Sequence, residues 1–348
     1  TGLTYRFTGP NSATIGTPSS EAGLPDGSAT TLTPIVVQGQ AETAWGPVDG
    51  FVATRSGTGS KTDTPIIETP QSISVVTRDQ MAVQGVQTVN DALRYTPGVS
   101  AETRGASARY DFPGLRGFGG DGMGGTYRYL DGLRVFNTTY YGTPQFDPYN
   151  LERVEVIRGP ASVLYGQSSP GGLVSMVSKR PMADPFHEVQ LQAGTHDRLQ
   201  AAFDFGGPVD EDGQFLYRLT GGGRHSDTQI DFTEERRISI SPAFTWQPDA
   251  DTSLTLLGNY QRDPENGWHG WVPAQASLLP NPFGTISRDF FDGDPSFDKF
   301  DRTQWYAGYL FEHRFDDTWT VRQNLRYMHL DLDDMNVYGQ GLASVGDV

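Results

Sequence analysis

Few side chains in this sequence stand at spacings that do chemistry. Gly120-x-Gly122-x-x-Gly125 spells a dinucleotide fingerprint, whose glycines bring a backbone close to a pyrophosphate at a helix N-terminus. The segment runs instead into Tyr127-Arg128-Tyr129-Leu130, which reads as a strand, so no helix follows to receive phosphates. Gly166-Gln167-Ser168-Ser169-Pro170 lacks the second glycine of a nucleophile elbow. The six histidines are scattered without zinc spacing, and there is no cysteine, which removes thiolate ligands and disulfides from consideration. No catalytic constellation results, and the expectation is a protein that is not an enzyme and has no metal site or resident cofactor.

The totals narrow the class. A chain of 348 residues has room for about two domains. Its 42 acidic and 26 basic residues give a net charge of −16, which opposes nucleic acid as a partner. No apolar run approaches the ~18 residues of a membrane-spanning helix. Membrane barrels are not excluded by this, because their strands alternate apolar and polar residues and average to a polar sequence. The chain opens at Thr1 with no signal peptide, so its N-terminus reads as processed or cut.

The elements follow from periodicity. Thr1 to Ile15 is a short β-like piece, and Gly16 to Thr31 is linker-like in composition. An isolated apolar run, Leu32-Thr33-Pro34-Ile35-Val36-Val37-Gln38, comes next, and Gly39 to Lys61 returns to linker composition. From Thr64 the pattern is that of a compact α+β domain. Ser72 to Thr77, Arg153 to Arg158 and Leu173 to Ser178 read as strands, Pro160 to Tyr165 as a short helix. Thr88 with Asp91 resembles a capping box that opens a helix over Val89 to Tyr95. After Pro185 seven alternating segments follow: His187–Gly194, Arg198–Phe205, Phe215–Thr220, Arg237–Trp246, Thr252–Gln261, Thr303–Glu312 and Thr318–Met328. Short turns alternate with the longer loops Gly222–Glu235 and Arg262–Arg302, and aromatic residues gather near strand ends, as in an outer-membrane barrel. A soluble β-sandwich shares the period-2 alternation.

An ordered set of motifs carries a family resemblance. Thr69-Pro70-Gln71-Ser72-Ile73-Ser74-Val75-Val76, Asp91-Ala92-Leu93, Thr96-Pro97-Gly98-Val99, Arg116-Gly117-Phe118 and Tyr129-Leu130-Asp131-Gly132 resemble the plug of TonB-dependent outer-membrane siderophore receptors. So do Glu152-Arg153-Val154-Glu155-Val156-Ile157-Arg158-Gly159-Pro160, Leu164-Tyr165-Gly166, Pro170-Gly171-Gly172 and Ser178-Lys179-Arg180-Pro181. Trp45-Gly46-Pro47, Thr103-Arg104-Gly105-Ala106-Ser107 and Gly270-Trp271 look like the ferrichrome (hydroxamate) receptors within that family. The fold implied is an α+β plug domain followed by an antiparallel transmembrane β-barrel of about 22 strands, of which about the first seven are present. The implied divisions are 1–16, remnant of a periplasmic signalling domain; 17–63, linker with TonB box and switch-helix region; 64–183, plug; and 184–348, the N-terminal part of the barrel.

The resemblance also assigns roles. Leu32, Thr33, Pro34, Ile35, Val36, Val37 and Gln38 resemble the TonB box, a strand that can add to a partner's sheet edge, and Ala44 to Phe51 matches the switch helix. Siderophore contacts are implied at Arg104, Gly122, Met123, Tyr140, Tyr141, His269, Trp271 and Tyr338. A guanidinium fork donates to the oxygens around chelated iron, and aromatic rings cover the rest of the ligand. Met123 departs from the usual amide, and His269 and Gln340 from the usual tyrosines. Arg116 and Arg158 resemble a plug–barrel latch to glutamates beyond Val348. The implied partners are a ferric siderophore, the TonB energy transducer, outer-membrane lipid and an inner-membrane anti-sigma regulator. Iron enters only within the ligand, as cargo. Active import across the bacterial outer membrane is the function expected. Another cargo, such as a catecholate siderophore or a corrinoid, and a passive porin or adhesin are the alternatives.

Overall fold

The computed structural model describes residues 4–9, 12–16, 42–105, 109–119, 126–136 and 141–339. They fall into two units, Thr1–Ala41 and Glu42–Val348. In the first, β1 (Thr4–Gly9) and β2 (Ser12–Gly16) form an antiparallel hairpin with Tyr5 opposite Ile15. The apolar run 32–38 lies outside the described residues.

In the second unit, the part of the expected linker from 42 to 63 is packed structure. Ala44 and Ser56 are fully buried, and β3 (Arg55–Ser56) pairs with β4 (Thr64–Pro65). The buried Arg153 guanidinium holds this segment by donating to the carbonyls of Thr43 (3.0 Å), Arg55 (3.1 Å) and Gly46. No helix forms over Ala44–Phe51, contrary to the switch-helix expectation. Gly46 N–H donates to the Thr43 hydroxyl at 2.9 Å, closing a local turn, and Pro47 brings no N–H to a helical ladder.

The core of this unit is a five-stranded sheet. Its strands are β5 (Ser72–Thr77), β9 (Tyr127–Leu130), β10 (Leu133–Arg134), β11 (Leu151–Arg158) and β12 (Gly172–Ser178), in the order β10-β9-β12-β11-β5. A small sheet joins β6 (Val99–Ser100), β7 (Gly114–Leu115) and β8 (Phe118–Gly119). Strand β12 is buried along its whole length and β11 at all but its last residue, and the charged Glu152, Arg153 and Glu155 of β11 are buried with its apolar residues. Helix α1 (Arg78–Val83), with no counterpart in the sequence reading, is capped by the Thr77 hydroxyl. Helix α2 (Val89–Leu93) has the expected capping box: Asp91 N–H donates to Thr88 Oγ1, and Thr88 N–H to the Asp91 carboxylate, both at 3.1 Å. Helix α3 is Ser162–Tyr165, so Pro160 precedes its cap instead of opening it. Gly172 has φ +130°, and a Cβ there would lie 1.9 Å from the Ile157 carbonyl oxygen. Only glycine fits where β12 turns in beside β11.

The remaining strands form a seven-stranded antiparallel meander in chain order: β13 (Phe186–Ala193), β14 (Leu199–Pro208), β15 (Phe215–Asp227), β16 (Glu234–Trp246), β17 (Thr252–Asn266), β18 (Lys299–Arg314) and β19 (Thr320–Met335). All seven expected strands are present, and the last five run longer than their apolar alternation. Strand β15 continues through Gly222 to Asp227 and β17 to Asn266, which shortens the expected loops to 228–233 and 267–298. Pairing continues there on polar side chains, which an apolar pattern does not register.

This sheet is inside out. Its outward face carries Leu191, Ile238, Leu256, Leu325 and Tyr327, all exposed, while the face toward the α+β core buries Asp204, Arg218, Arg237, Asp263, Arg302 and Gln304. The buried charges are paired. Arg218 donates to Asp204 at 2.8 Å and to Glu152 of β11 at 3.0 Å, and Lys179 donates to Asp204 at 2.7 Å. Gln145 is a second junction: its side-chain oxygen accepts from Arg237 (2.6 Å), Arg302 (2.7 Å) and Asn266 (3.0 Å), and its backbone exchanges two bonds with Gln304. Breaking one such buried pair destabilises by about 3–5 kcal/mol, so these contacts fix the sheet on the core. A soluble sandwich buries its apolar faces; this sheet exposes its own.

Candidate ligand-binding site

The site lies where the meander's longest connection meets the α+β core. Strand β17 delivers residues 267–271, the end of β19 delivers 336–339, and the core contributes Arg104, Tyr110 and Tyr141. The rings converge edge to face. His269 stands 5.1 Å from Tyr141, 5.5 Å from Tyr338 and 5.7 Å from Tyr110, centroid to centroid. Trp271 meets Tyr338 at 5.3 Å, and Tyr110 stacks on Phe112 at 5.1 Å. Such pairs each add about 0.5–1.5 kcal/mol beyond burial. Arg104 is half-buried, and its charge acts on both Tyr141 and His269.

Two sets of polar contacts hold these rings. From the core, Arg109 donates through Nε to the carbonyl of Asn266 at 3.0 Å, and through Nη2 to that of Gly267 at 3.2 Å. Through Nη1 it reaches Asn336 Oδ1 at 2.5 Å and Asp334 at 3.4 Å. From the long loop, Asp292 accepts from the Trp268 indole at 2.8 Å and from Gly339 N–H at 3.1 Å, and Asp298 accepts from Val337 N–H at 2.8 Å. A Cβ on Gly270 would lie 2.1 Å from Asp292 Oδ1 and 2.5 Å from the Trp268 indole nitrogen, so a larger residue there displaces the Asp292–Trp268 pair.

The electrostatics suit a hydrogen-bonding wall. Burial first, then the charges of Arg109 and Arg104, push the His269 imidazole down to about 4; its ring is neutral at pH 7. Burial, the Tyr338 hydrogen bond and nearby negative charge raise Tyr141, and burial first raises Tyr110. Both phenols keep their protons. The site thus offers neutral hydroxyls, a neutral imidazole, an indole and one guanidinium, which together can grip an oxygen-rich ligand of low net charge.

Five of the eight contacts expected from sequence come together here: Arg104, Tyr141, His269, Trp271 and Tyr338. Gly122, Met123 and Tyr140 lie outside the described residues. Arg116 and Arg158 are elsewhere. Arg158 donates to the hydroxyls of Ser72 (3.0 Å) and Ser74 (2.6 Å), and Arg116 adds a second positive charge beside it. Among the described residues, one group of metal-ligand type occurs, His225, Asp227 and Glu234. Arg236 already donates into it, to His225 at 3.1 Å and Glu234 at 2.6 Å.

Residues 65–173 match the TonB-dependent receptor plug domain. The chain is 47% identical over 315 residues to the ferrichrome outer membrane transporter/phage receptor of Escherichia coli K12, covering 90% of this chain and 42% of the relative. Residues 65–173 carry the TonB-dependent receptor plug. It is also 46% identical over 299 residues to the ferrioxamine receptor of Yersinia enterocolitica, covering 86% of this chain and 41% of that one. The chain spans about two fifths of the length of these curated relatives. In fold it is similar to the pyoverdine outer membrane receptor FpvA from Pseudomonas aeruginosa PAO1, at 24% identity and a TM-score of 0.72, over 82% of this chain and 41% of that one. The relatives are transporters and receptors by name.

The site also contains residues that sequence reasoning missed. Tyr110 and Arg109 stand two or three residues beyond the Thr103–Ser107 motif, close enough that the motif was the available signal. Asp292, Asp298, Asp334 and Asn336 had none, because acidic residues are common in that loop and strand.

Proposed function

We propose that this chain is the plug and N-terminal barrel portion of an outer-membrane receptor that imports a ferric hydroxamate siderophore, energised through TonB. Residues 64–183 are the plug, 184–348 the first strands of a transmembrane barrel, and 1–16 the remnant of a signalling domain that would address an anti-sigma regulator. The observation that carries the reading is the convergence of Arg104, Tyr141, His269, Trp271 and Tyr338 at one end of a sheet whose outer face is apolar. A ferric hydroxamate shows oxygens around iron and a largely neutral exterior, and these groups match it. The acidic residues of the 267–298 loop repel a trianionic ferric catecholate, which sets that cargo second. Apolar outward residues face outer-membrane lipid, and the Leu32–Gln38 segment engages TonB by adding to its sheet edge.

Uptake of labelled ferric trihydroxamate by cells whose only such receptor is the full-length protein tests this reading. Uptake is expected, and deletion of 32–38 should abolish it while leaving ligand binding at the cell surface. Undiminished uptake by the deletion strain, or steady ion conductance of the purified protein in liposomes, would contradict the account.

A further inference from the structure

Resting on the reading of this site as a siderophore mouth, we infer that Arg109 is its positioning residue, a single buried guanidinium that fastens the plug to both wall segments bearing the binding aromatics. The carbonyls it holds, Asn266 and Gly267, immediately precede Trp268 to Trp271. The side chains it holds, Asp334 and Asn336, lie on the stretch that leads into Tyr338. These two segments are 157 and 227 residues away in sequence. Arg109 is itself next to Tyr110, so one residue sets the relation among ring-bearing segments from three parts of the chain. The side chain is 6% exposed, and that of its counter-charge Asp334 is 9% exposed. The Arg109 main chain is fixed in turn, its carbonyl accepting from Arg302 at 3.2 Å. A planar fork is required, since an ammonium is a point charge on a flexible stem and cannot hold two carbonyls and two side chains in fixed directions. Arg109 directs its donors at protein groups and acts on the ligand through the aromatics.

The test is initial-rate uptake of a ferric trihydroxamate by cells carrying the full-length receptor. Arg109→Met should raise the half-saturating concentration at least ~tenfold and leave the maximal rate within about twofold per receptor in the membrane. Arg109→Lys should fall between it and the parent. Adding Asp334→Asn to Arg109→Met should recover part of the loss, because an unpaired buried carboxylate is then removed. An unchanged half-saturating concentration in Arg109→Met, or a fall confined to the maximal rate, overturns the inference. If that variant fails to reach the membrane, Arg109→Lys and Asp334→Asn carry the same comparison. If the parent takes up no trihydroxamate, the siderophore reading fails, and hydrogen exchange judges the positioning role. Faster exchange confined to 266–271 and 334–339 in Arg109→Lys supports it; unchanged exchange there overturns it.

Discussion

At the residue scale, the site depends on one cation and one neutral ring whose states the surroundings fix. Arg104 supplies a charged donor to ligand oxygens in the proposed complex. Arg104→Ala should remove a charge-assisted bond of about 1.5–3 kcal/mol and weaken ferric trihydroxamate binding roughly tenfold to a hundredfold, as read by equilibrium titration. His269 adds a pH dependence. Its pKa in the folded mouth is about 4, below the ordinary 6.5. Folding therefore favours the neutral ring, a contribution fully present above about pH 6.5 and lost as pH falls toward about 4. Ligand affinity should stay flat from about pH 8 down to about pH 5 and fall as pH approaches about 4, where the folded-state ring takes up its proton, and His269→Asn should flatten that decline. The five expected residues that converge here were named from the family resemblance, of which the motif around Arg104 and the Gly270-Trp271 step are the local parts; no periodicity marks them. Arg109, Asp292 and Asp334 were not legible, because their partners lie far away in the chain and acidic or basic residues carry no periodic mark of such contacts.

At the scale of elements, local chemistry was readable wherever it closes over a few residues. The Thr88–Asp91 box formed as expected, and Ser72–Thr77 is a strand with the expected ends. Thr88→Ala should reduce the protection of the Asp91 amide, which donates to the Thr88 hydroxyl, by about 1 kcal/mol. Its hydrogen exchange should then run about fivefold faster by local opening, with the β11 and β12 amides unchanged. The elements that escaped reading are those settled by tertiary partners. Residues 42–63 have the composition of a linker, yet Arg153 of β11 and the buried Ser56–Glu155 bond at 2.6 Å order them. The ends of β15 and β17 are held by neighbouring strands where the side chains are glycine and charge. The alternation that marks a strand stops before the strand does.

At the scale of the molecule, the meander exposes an apolar face and buries a charged one, the arrangement that the proposed lipid-facing barrel requires. The alternating pattern could be read from sequence, but which face turns outward could not, since a sandwich has the same period. The paired charges Asp204–Arg218 and Asp263–Arg302, set against the plug, decide it. Leu256, exposed on β17, gives the test. Leu256→Arg should lower refolding stability in lipid vesicles by about 2–4 kcal/mol if it lies near the bilayer midplane. The same change on a watery surface stays within about 0.5 kcal/mol, and so small an effect would count against a lipid-facing sheet.

Direct titration measures whether the aromatic mouth around Arg104 and His269 binds a ferric hydroxamate. Full-length receptor in detergent, titrated with a ferric trihydroxamate and separately with a ferric tricatecholate, can be followed by quenching of tryptophan fluorescence. Saturable quenching by the trihydroxamate is expected, reduced in Trp271→Phe as a signal and weakened in Arg104→Ala as an affinity, with much weaker binding of the catecholate. Tighter binding of the catecholate, or trihydroxamate binding that Arg104→Ala leaves unchanged, would contradict the hydroxamate reading.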